Sequence, residues 1–307
     1  MVAHTVYEFL PEERVIPFVE AAIRVFDRYG EREKRMKARL KFMVKKWGVD
    51  KFLELVDQEY KALPQQVYWI DSSANWQPQP PPPPTTTVLP TNPTLYRLWR
   101  LTNTFEQKQK GHYGVALKVQ LGNISAPKAR ELAAVVRTHA ADELRLTINQ
   151  GILLKYVPEA ALPALHQALQ RLGLADAGFG SIVDITACPG TDTCNLGVTN
   201  STGLAKALEK TIQEQYAYLI GDSKISIKIS GCMNSCGQHM AANIGFHGSS
   251  MKAGKYTLPA MQLVLGGGVD PDGTGYIAEK IIKIPTRRVP IALGILLDDY
   301  EDQQAPH

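Results

Sequence analysis

The chain has 307 residues, of which 44% are hydrophobic and 21% charged, as is ordinary for a globular protein that folds in water. Its formal net charge of +4 is too small to argue for a nucleic-acid partner, and no apolar run approaches the ~20 residues that a membrane helix needs. No basic-then-apolar leader precedes Tyr7, so we expect a cytoplasmic protein without membrane or nucleic-acid partners.

The first segment, residues 1–71, is predicted to be helical up to about residue 62. Its apolar residues recur at three- and four-residue spacing, which predicts two amphipathic helices. These residues are Val15, Val19, Ile23 and Phe26 in the first helix and Leu40, Met43, Val44 and Trp47 in the second. Between them, residues 31–41 are rich in positive charge. Such a run is usually a solvated helix face, although a surface that faces an anionic ligand has the same composition.

Residues 72–94 are rich in proline and include the run Q-P-Q-P-P-P-P-P at 77–84. This composition excludes helix and inner strand and favours polyproline II. A stiff interdomain linker is therefore predicted, while a proline-rich ligand for a signalling domain is an alternative with the same composition.

Residues 95–177 show a strand–helix–strand–helix rhythm from about residue 111. Ser125 is placed to cap the first helix, with Pro127 tolerated in its first turn. The apolar positions that define the four elements are Val115, Leu117, Val119 and Leu121; Leu132, Val135 and Val136; Leu144, Leu146 and Ile148; and Leu162, Leu165, Leu169 and Leu172.

The second of these strands has a polar face, because strand side chains alternate between the two sides of a sheet. Arg145, Thr147 and Asn149 lie opposite the apolar residues, and Gln150 follows them. The pattern fits an exposed polar face and a cofactor contact equally well.

Four cysteines form two close pairs, Cys188 with Cys194 and Cys232 with Cys236. Four soft ligands in two clusters predict a metal site. The C-x5-C spacing of the first pair is wide for a zinc knuckle, whereas iron–sulfur clusters accept more varied spacings. A four-cysteine zinc site and buried or disulfide-bonded cysteines remain open alternatives, although disulfides are not expected inside a cell.

The surroundings of the cysteines favour a bulky anionic group. A predicted strand with Ile225, Ile227 and Ile229 leads into Cys232, and Gly231 and Gly237 would permit close backbone approach to a cluster. A helix predicted from about Ser201 would place its positive N-terminal end near such a group. Nearby His239 and His247 are expected to be structural rather than metal ligands, because four thiolates already complete a site.

Two stretches closely resemble the cysteine motifs of the sirohaem-dependent nitrite and sulfite reductases. They are T-A-C-P-G-T-D-T-C-N-L-G at Thr186–Gly197 and S-G-C-M-N-S-C-G-Q-H-M-A-A-N-I-G-F-H-G at Ser230–Gly248. The strand L-R-L-T-I-N-Q-G at Leu144–Gly151 resembles another signature of that family. The resemblance covers the C-terminal half of the family and implies an α+β fold, in which a ferredoxin-like half-domain is followed by an α/β domain that binds sirohaem and a 4Fe–4S cluster.

The resemblance also assigns roles to residues. It implies that the four cysteines, Cys188, Cys194, Cys232 and Cys236, hold the 4Fe–4S cluster, and that Cys236 bridges the cluster to the sirohaem iron at the catalytic centre. It tilts Thr147, Asn149, Gln150 and Asn234 toward cofactor contact. Met233 stands where proline is common in the family, and Asn243 where an acidic residue is common. Neither departure removes a ligand.

The implied activity is the six-electron reduction of sulfite to sulfide or of nitrite to ammonia. Because the sequence has no G-x-G-x-x-G fingerprint, electrons should come from ferredoxin or from a separate reductase subunit. The implied domains are residues 1–71, resembling the end of a first repeat; the linker 72–94; the half-domain 95–177; and the cofactor domain 178–307. A missing N-terminal repeat is then a further expected partner, and the basic run at 31–41 could face the carboxylates of sirohaem. A non-catalytic cluster-binding piece and a zinc module are the alternatives.

Overall fold

The structure is a computed structural model that describes residues 3–34, 37–64, 68, 79–82, 84, 86, 88–221, 225–270 and 272–304. The chain divides into two compact units, Met1–Gln77 and Pro78–His307. Part of the predicted linker 72–94 lies outside the described residues. Its described residues before Pro93 contain neither helix nor strand, as the proline content predicts. Within the described ranges, no helix is both long and apolar enough to cross a membrane.

The described residues of the first unit form three helices rather than the two predicted. They are α1 (Glu12–Tyr29), α2 (Leu40–Trp47) and α3 (Val49–Ala62). Gly48 separates α2 from α3 with a φ of 83°, a left-handed value that glycine adopts without a steric penalty. The described residues between α1 and α2 form turns and coil, so the prediction that the basic run is a solvated helix face was wrong.

The predicted buried face of α1 was also wrong for three of its four residues, because of these four only Phe26 packs against the core. Val15, Val19 and Ile23 are exposed, whereas Ala21 and Val25 are fully buried against α2 and α3. The buried stripe also includes Phe18, Ala22 and Phe26, so it follows helical spacing just as well as the predicted one. Periodicity identified the helix, and small alanines in the true stripe disguised which face is buried.

The ferredoxin-like half-domain lies in the second unit and is built on a four-stranded antiparallel sheet in the order β1-β2-β4-β3. Its strands are β1 (Thr104–Glu106), β2 (His112–Leu117), β3 (Leu144–Leu146) and β4 (Ile152–Pro158), and its helices are α4 (Pro93–Asn103), α5 (Ala126–His139) and α6 (Leu162–Leu172). The core contains Trp99, Leu117 and Leu154 together with the leucines of α6. Ser125 caps α5 by accepting a hydrogen bond from the Lys128 backbone N–H, as predicted.

Two strands of the half-domain are shorter than the sequence pattern suggests. β2 ends at Leu117, and Leu121 lies in a 3-10 turn with a φ of 56°. β3 ends at Leu146, so Thr147, Asn149 and Gln150 lie in a turn and not on a strand. Leu144, Leu146 and Ile148 are all exposed, so the apolar stripe that defined this strand is not part of the core.

The cysteine-bearing part of the second unit is built on a five-stranded mixed sheet in the order β11-β8-β7-β6-β5. The elements are β5 (Thr186–Ala187), α7 (Ser201–Gln215), β6 (Ile227–Ser230), β7 (Ile244–Ala253), β8 (Tyr256–Leu265), β9 (Gly268–Val269), β10 (Gly275–Tyr276), β11 (Glu279–Pro285) and α8 (Val289–Gln304). β5, β6 and β7 are parallel, while β8 is antiparallel to both of its neighbours. Helices α7 and α8 bury Leu208, Ile212 and Leu293 against this sheet.

Candidate metal and cofactor centre

The two cysteine pairs begin just beyond the carboxyl ends of two neighbouring strands of the five-stranded sheet, β5 and β6. Cys188 directly follows β5, and Cys232 lies two residues beyond the end of β6. Because these strands are parallel, their carboxyl ends meet, and ligands of open α/β sheets characteristically bind beyond such ends. The Cys188 backbone N–H donates to the carbonyl of Ile229 at 3.1 Å, which fixes the start of the first loop against β6.

Gly231 joins the two loops. Its N–H donates to the Cys188 sulfur at 3.0 Å, and its carbonyl accepts from Val198 N at 2.8 Å and from Thr199 N at 3.2 Å. A Cβ at this position would lie 2.5 Å from the Gly190 Cα, so only glycine fits between the loops. Gly231 is therefore needed for the packing of the two loops, and close approach of its backbone to a cluster stays a prediction.

The second loop is fixed by similar contacts. The Gly237 N–H donates to Ser230 Oγ at 3.0 Å, and a Cβ on Gly237 would collide with the carbonyl of Ile229. Gly237 thus serves loop packing as Gly231 does. On either side of Cys236 and Gly237, Ser235 and Gln238 have φ values of 64° and 59°. Left-handed conformations at non-glycine residues persist only where surrounding contacts enforce them, and they cluster at functional sites.

The N-terminus of α7 lies beside Cys188, as the sequence predicts. The Ser201 hydroxyl donates to the Cys188 carbonyl at 2.6 Å and lies 3.8 Å from its sulfur. Asn200 caps the helix by accepting from the Gly203 N–H at 2.7 Å. The positive end of the helix dipole therefore lies where an anionic cluster would bind favourably.

All four cysteines are free thiols. Cys188 and Cys232 are half-buried, whereas Cys194 and Cys236 are exposed. Over the described part of the chain, no three His, Cys, Asp or Glu side chains are arranged so that they could hold a single metal ion. The donor set nevertheless fits an iron–sulfur cluster: four accessible soft ligands lie on two loops joined by Gly231, and one sulfur already accepts a backbone N–H, a kind of bond that tunes cluster potentials.

The turn at residues 147–150 reaches the cysteine-bearing sheet. Gln150 hydrogen-bonds both backbone groups of Ala187, and Asn149 Oδ1 accepts from Lys228 Nζ at 2.9 Å. Thr147 Oγ1 accepts from the Gly151 N–H within the turn itself. Of the predicted cofactor residues in this segment, Gln150 and Asn149 therefore contact the strands that lead into the two cysteine loops, whereas Thr147 bonds within its own turn. Asn234, the remaining one, is exposed in the turn between Cys232 and Cys236.

Buried charges near this junction were missed by the sequence patterns. Lys228 is 9% exposed on β6 and donates to Gln238 Oε1 at 2.8 Å as well as to Asn149, and burial lowers its pKa. Lys118 and Glu209 form a buried ion pair. Burial raises the pKa of Asp184 from 3.8 to about 6, although its carboxylate accepts from the Gly180 N–H. The signal available in the sequence was a lysine inside an apolar strand, as in I-K-I at 227–229.

His239 and His247 form a buried pair with ring centroids 4.8 Å apart. His239 Nδ1 lies 2.9 Å from Ser230 Oγ. Burial, with smaller contributions from His247 and Lys280, lowers the pKa of His239 to about 4. Both rings are therefore neutral near pH 7, and His239 helps to fix the strand that leads into Cys232, which fits the expected structural role.

The two departures from the family motif have simple surroundings. Met233 is exposed in the second loop. Asn243 Oδ1 accepts from the backbone N–H and the hydroxyl of Ser226, at 2.8 and 2.7 Å. An uncharged amide at this position therefore connects the segment before β6 to the segment before β7.

Comparisons with known proteins agree with this geometry. The family model described as the nitrite and sulphite reductase 4Fe-4S domain matches residues 1–63 and 179–304, and the model of the nitrite/sulfite reductase ferredoxin-like half domain matches residues 105–172. The chain belongs to the nitrite and sulfite reductase family. The predicted family and the predicted α+β fold class are thereby confirmed, and so are the cofactors of this family, a 4Fe–4S cluster and sirohaem.

Individual relatives show how much of the family is present. A ferredoxin–nitrite reductase of Synechococcus elongatus is 27% identical over 96% of this chain and 52% of its own length. A ferredoxin sulfite reductase of Mycobacterium tuberculosis is 30% identical over 87% of this chain and 45% of its own. The solved structure of the Mycobacterium tuberculosis NirA protein matches with a TM-score of 0.64 and 26% identity, covering 92% of this chain and 48% of that one. The chain spans about half the length of the curated relatives it matches.

Proposed function

We propose that this chain binds one 4Fe–4S cluster and sirohaem at its cysteine loops and acts as the cysteine-bearing half of an enzyme that reduces sulfite or nitrite. The observation that carries the proposal is the junction at Gly231, the residue before Cys232 at the start of the second cysteine loop. Its N–H donates to the Cys188 sulfur, and its carbonyl accepts from backbone N–H groups of the first loop. A junction of this kind brings two cysteine pairs that are distant in sequence to one side of the sheet.

The proposed cluster ligands are Cys188, Cys194, Cys232 and Cys236, with Cys236 shared with the sirohaem iron. Thr147, Asn149, Gln150 and Asn234 are proposed to line the cofactor cleft. When bound, the two cofactors supply the electron-transfer chemistry of a six-electron reduction of sulfite to sulfide or of nitrite to ammonia. The chain itself holds the two loops together, orients the Cys188 sulfur with the Gly231 N–H, and places the positive N-terminal end of α7 beside the proposed anionic cluster.

The proposed organisation follows the sequence: residues 1–71 as the end of a first repeat, the linker 72–94, the half-domain 95–177 and the cofactor domain 178–307. A second half, supplied by the part of the family that this chain does not cover, would complete the catalytic cleft. Relatives named as ferredoxin enzymes support ferredoxin, or a reductase subunit, as the electron donor. Residence in the cytoplasm stays a prediction.

Anaerobic reconstitution with iron, sulfide and sirohaem tests the proposal, followed by an absorption spectrum and metal analysis. Sirohaem bands with bound iron are expected. Zinc without colour would favour a structural module and contradict the proposal.

Activity with an artificial electron donor is a separate test of the half-enzyme proposal. The reconstituted chain should reduce sulfite or nitrite poorly alone, and faster once the uncovered N-terminal half of a relative is added as a second chain. Rapid turnover without that addition would show that the basic residues of this chain complete the anion site by themselves.

A further inference from the structure

Strand β5 has a free edge that one side chain covers. Among the strands that the structure describes, β5 lies at the edge of its sheet and pairs only with β6. Backbone groups alternate in direction along a strand, and the Cys188 N–H bonds β6, so the N–H and C=O of Ala187 point away from the sheet. Gln150 meets both of them: its Nε2 donates to the Ala187 carbonyl at 2.9 Å, and the Ala187 N–H donates to its Oε1 at 3.1 Å. The carboxamide thus replaces a neighbouring strand.

The turn that carries Gln150 is itself fixed. The Thr147 N–H donates to the Gly151 carbonyl at 2.9 Å, and the Gly151 N–H donates to Thr147 Oγ1 at 3.0 Å. Gln150 has a φ of 66°, a left-handed conformation that an ordinary residue keeps only when its contacts enforce it. The Gln150 carboxamide forms two hydrogen bonds with Ala187, the residue directly before Cys188. Gln150 is therefore placed to influence the position of Cys188.

The same turn also contacts the second cysteine loop. Asn149 accepts from Lys228 Nζ, and Lys228 donates in turn to Gln238, two residues beyond Cys236. The half-domain therefore contacts the backbone of Ala187, directly before the first cysteine. Through the buried Lys228 it also contacts Gln238, which follows the last cysteine.

We propose that Gln150 is a positioning residue: it fixes the backbone at Ala187, and thereby Cys188, from the ferredoxin-like half-domain. This role deepens the proposed function and rests on it for the identity of the bound group. It differs from a direct cofactor contact, because the carboxamide acts through protein backbone. If Gln150 has this role, it should slow the loss of the cluster and protect the Ala187 amide from hydrogen exchange.

The test compares Gln150→Ala, the isosteric Gln150→Glu and the control Gln167→Ala. Gln167 lies on α6 of the same half-domain and also donates to a backbone carbonyl, that of Leu89 at 2.8 Å. The first measurement is hydrogen exchange at the Ala187 amide in metal-free protein. The second is the rate at which a chelator removes iron from reconstituted protein.

Gln150→Ala should speed both exchange and iron loss about tenfold, which corresponds to ~1.4 kcal/mol and lies within the range of two neutral hydrogen bonds. Gln150→Glu keeps an acceptor for the Ala187 N–H but cannot donate to the Ala187 carbonyl. Hydrogen exchange at the Ala187 amide of Gln150→Glu should therefore stay near that of the unmodified protein. Its rate of iron loss should lie between those of the unmodified protein and Gln150→Ala. Gln167→Ala should change neither.

Unchanged exchange in Gln150→Ala would overturn the inference, and so would faster exchange without faster iron loss. Should Gln150→Ala not fold, Gln150→Glu decides alone, because equal iron loss in that variant and in the unmodified protein overturns the positioning role. An unmodified protein that binds no iron would contradict the proposed function, and Ala187 exchange would still decide whether Gln150 fixes this backbone.

Discussion

Lys118 and Glu209 form a buried ion pair that links the half-domain to helix α7. Their side chains are 5% and 3% exposed, and Lys118 Nζ lies 3.7 Å from Glu209 Oε1. The other carboxylate oxygen accepts from Gln120 Nε2 at 2.5 Å. Because α7 begins beside Cys188, this pair anchors the element that supports the first cysteine loop.

Replacing Lys118 with Met keeps much of the side-chain volume and leaves the Glu209 carboxylate with Gln120 alone. At an effective dielectric constant of ~20, the attraction over this distance is about 4 kcal/mol. Breaking a buried pair from one side typically costs ~3–5 kcal/mol, because the remaining charge stays buried. We expect Lys118→Met to lower the free energy of unfolding by ~3 kcal/mol. The double variant Lys118→Met/Glu209→Gln should lose only ~1 kcal/mol, since no charge is then left buried without its partner.

The assay is urea unfolding of the metal-free protein near neutral pH, followed by circular dichroism, with hydrogen exchange in α7 to locate the loss. Lys210→Met is the matched control. Lys210 lies on the same helix and forms an ion pair of the same length, 3.7 Å, with Glu214, but the two side chains are 73% and 59% exposed. Its loss should cost less than ~0.5 kcal/mol. A Lys118→Met effect no larger than that of Lys210→Met would refute the reasoning.

Three further predictions concern the four cysteines, the bridge at Cys236 and a buried carboxyl. Replacing Cys188, Cys194, Cys232 or Cys236 singly with Ser should remove most reconstituted iron and sulfide, and four variants with full iron content would contradict the ligand set. If Cys236 bridges the two cofactors, cluster and sirohaem should be magnetically coupled in the unmodified, sirohaem-loaded protein; independent centres in its paramagnetic resonance spectrum would exclude the bridge. Because burial raises the pKa of Asp184 to about 6 in the fold, the unfolded chain loses this proton first, and stability falls as pH rises from about 4 to about 6 and stays lower above that. Asp184→Asn should flatten this slope in thermal unfolding and raise stability above pH 6 by ~1–2 kcal/mol, a value reduced for the partial exposure of the carboxyl; an unchanged slope would contradict the assignment.

Local features of the sequence determined the elements and the chemistry. The leucine spacing of α6, the Ser125 cap and the cysteine motifs each depend on residues close together in the chain, so their physical meaning is readable without a fold. Side-chain periodicity reports that one face of a helix is apolar, but it does not report which neighbour will cover that face. This is why α1 was predicted as a helix with Val15, Val19 and Ile23 buried, when these side chains are exposed.

Only the tertiary structure decided how the cysteine loops are held. Gln150 and Ala187 are distant in sequence, as are Gly231 and Cys188, and no local pattern pairs them. Such contacts arise from strand order: β5 is an edge strand, so its outward backbone groups need a partner, and the parallel pairing of β5 with β6 brings the two loops together. The sequence therefore predicts which residues bind the cofactors, while the topology of the sheet decides which residues hold the two cysteine loops together.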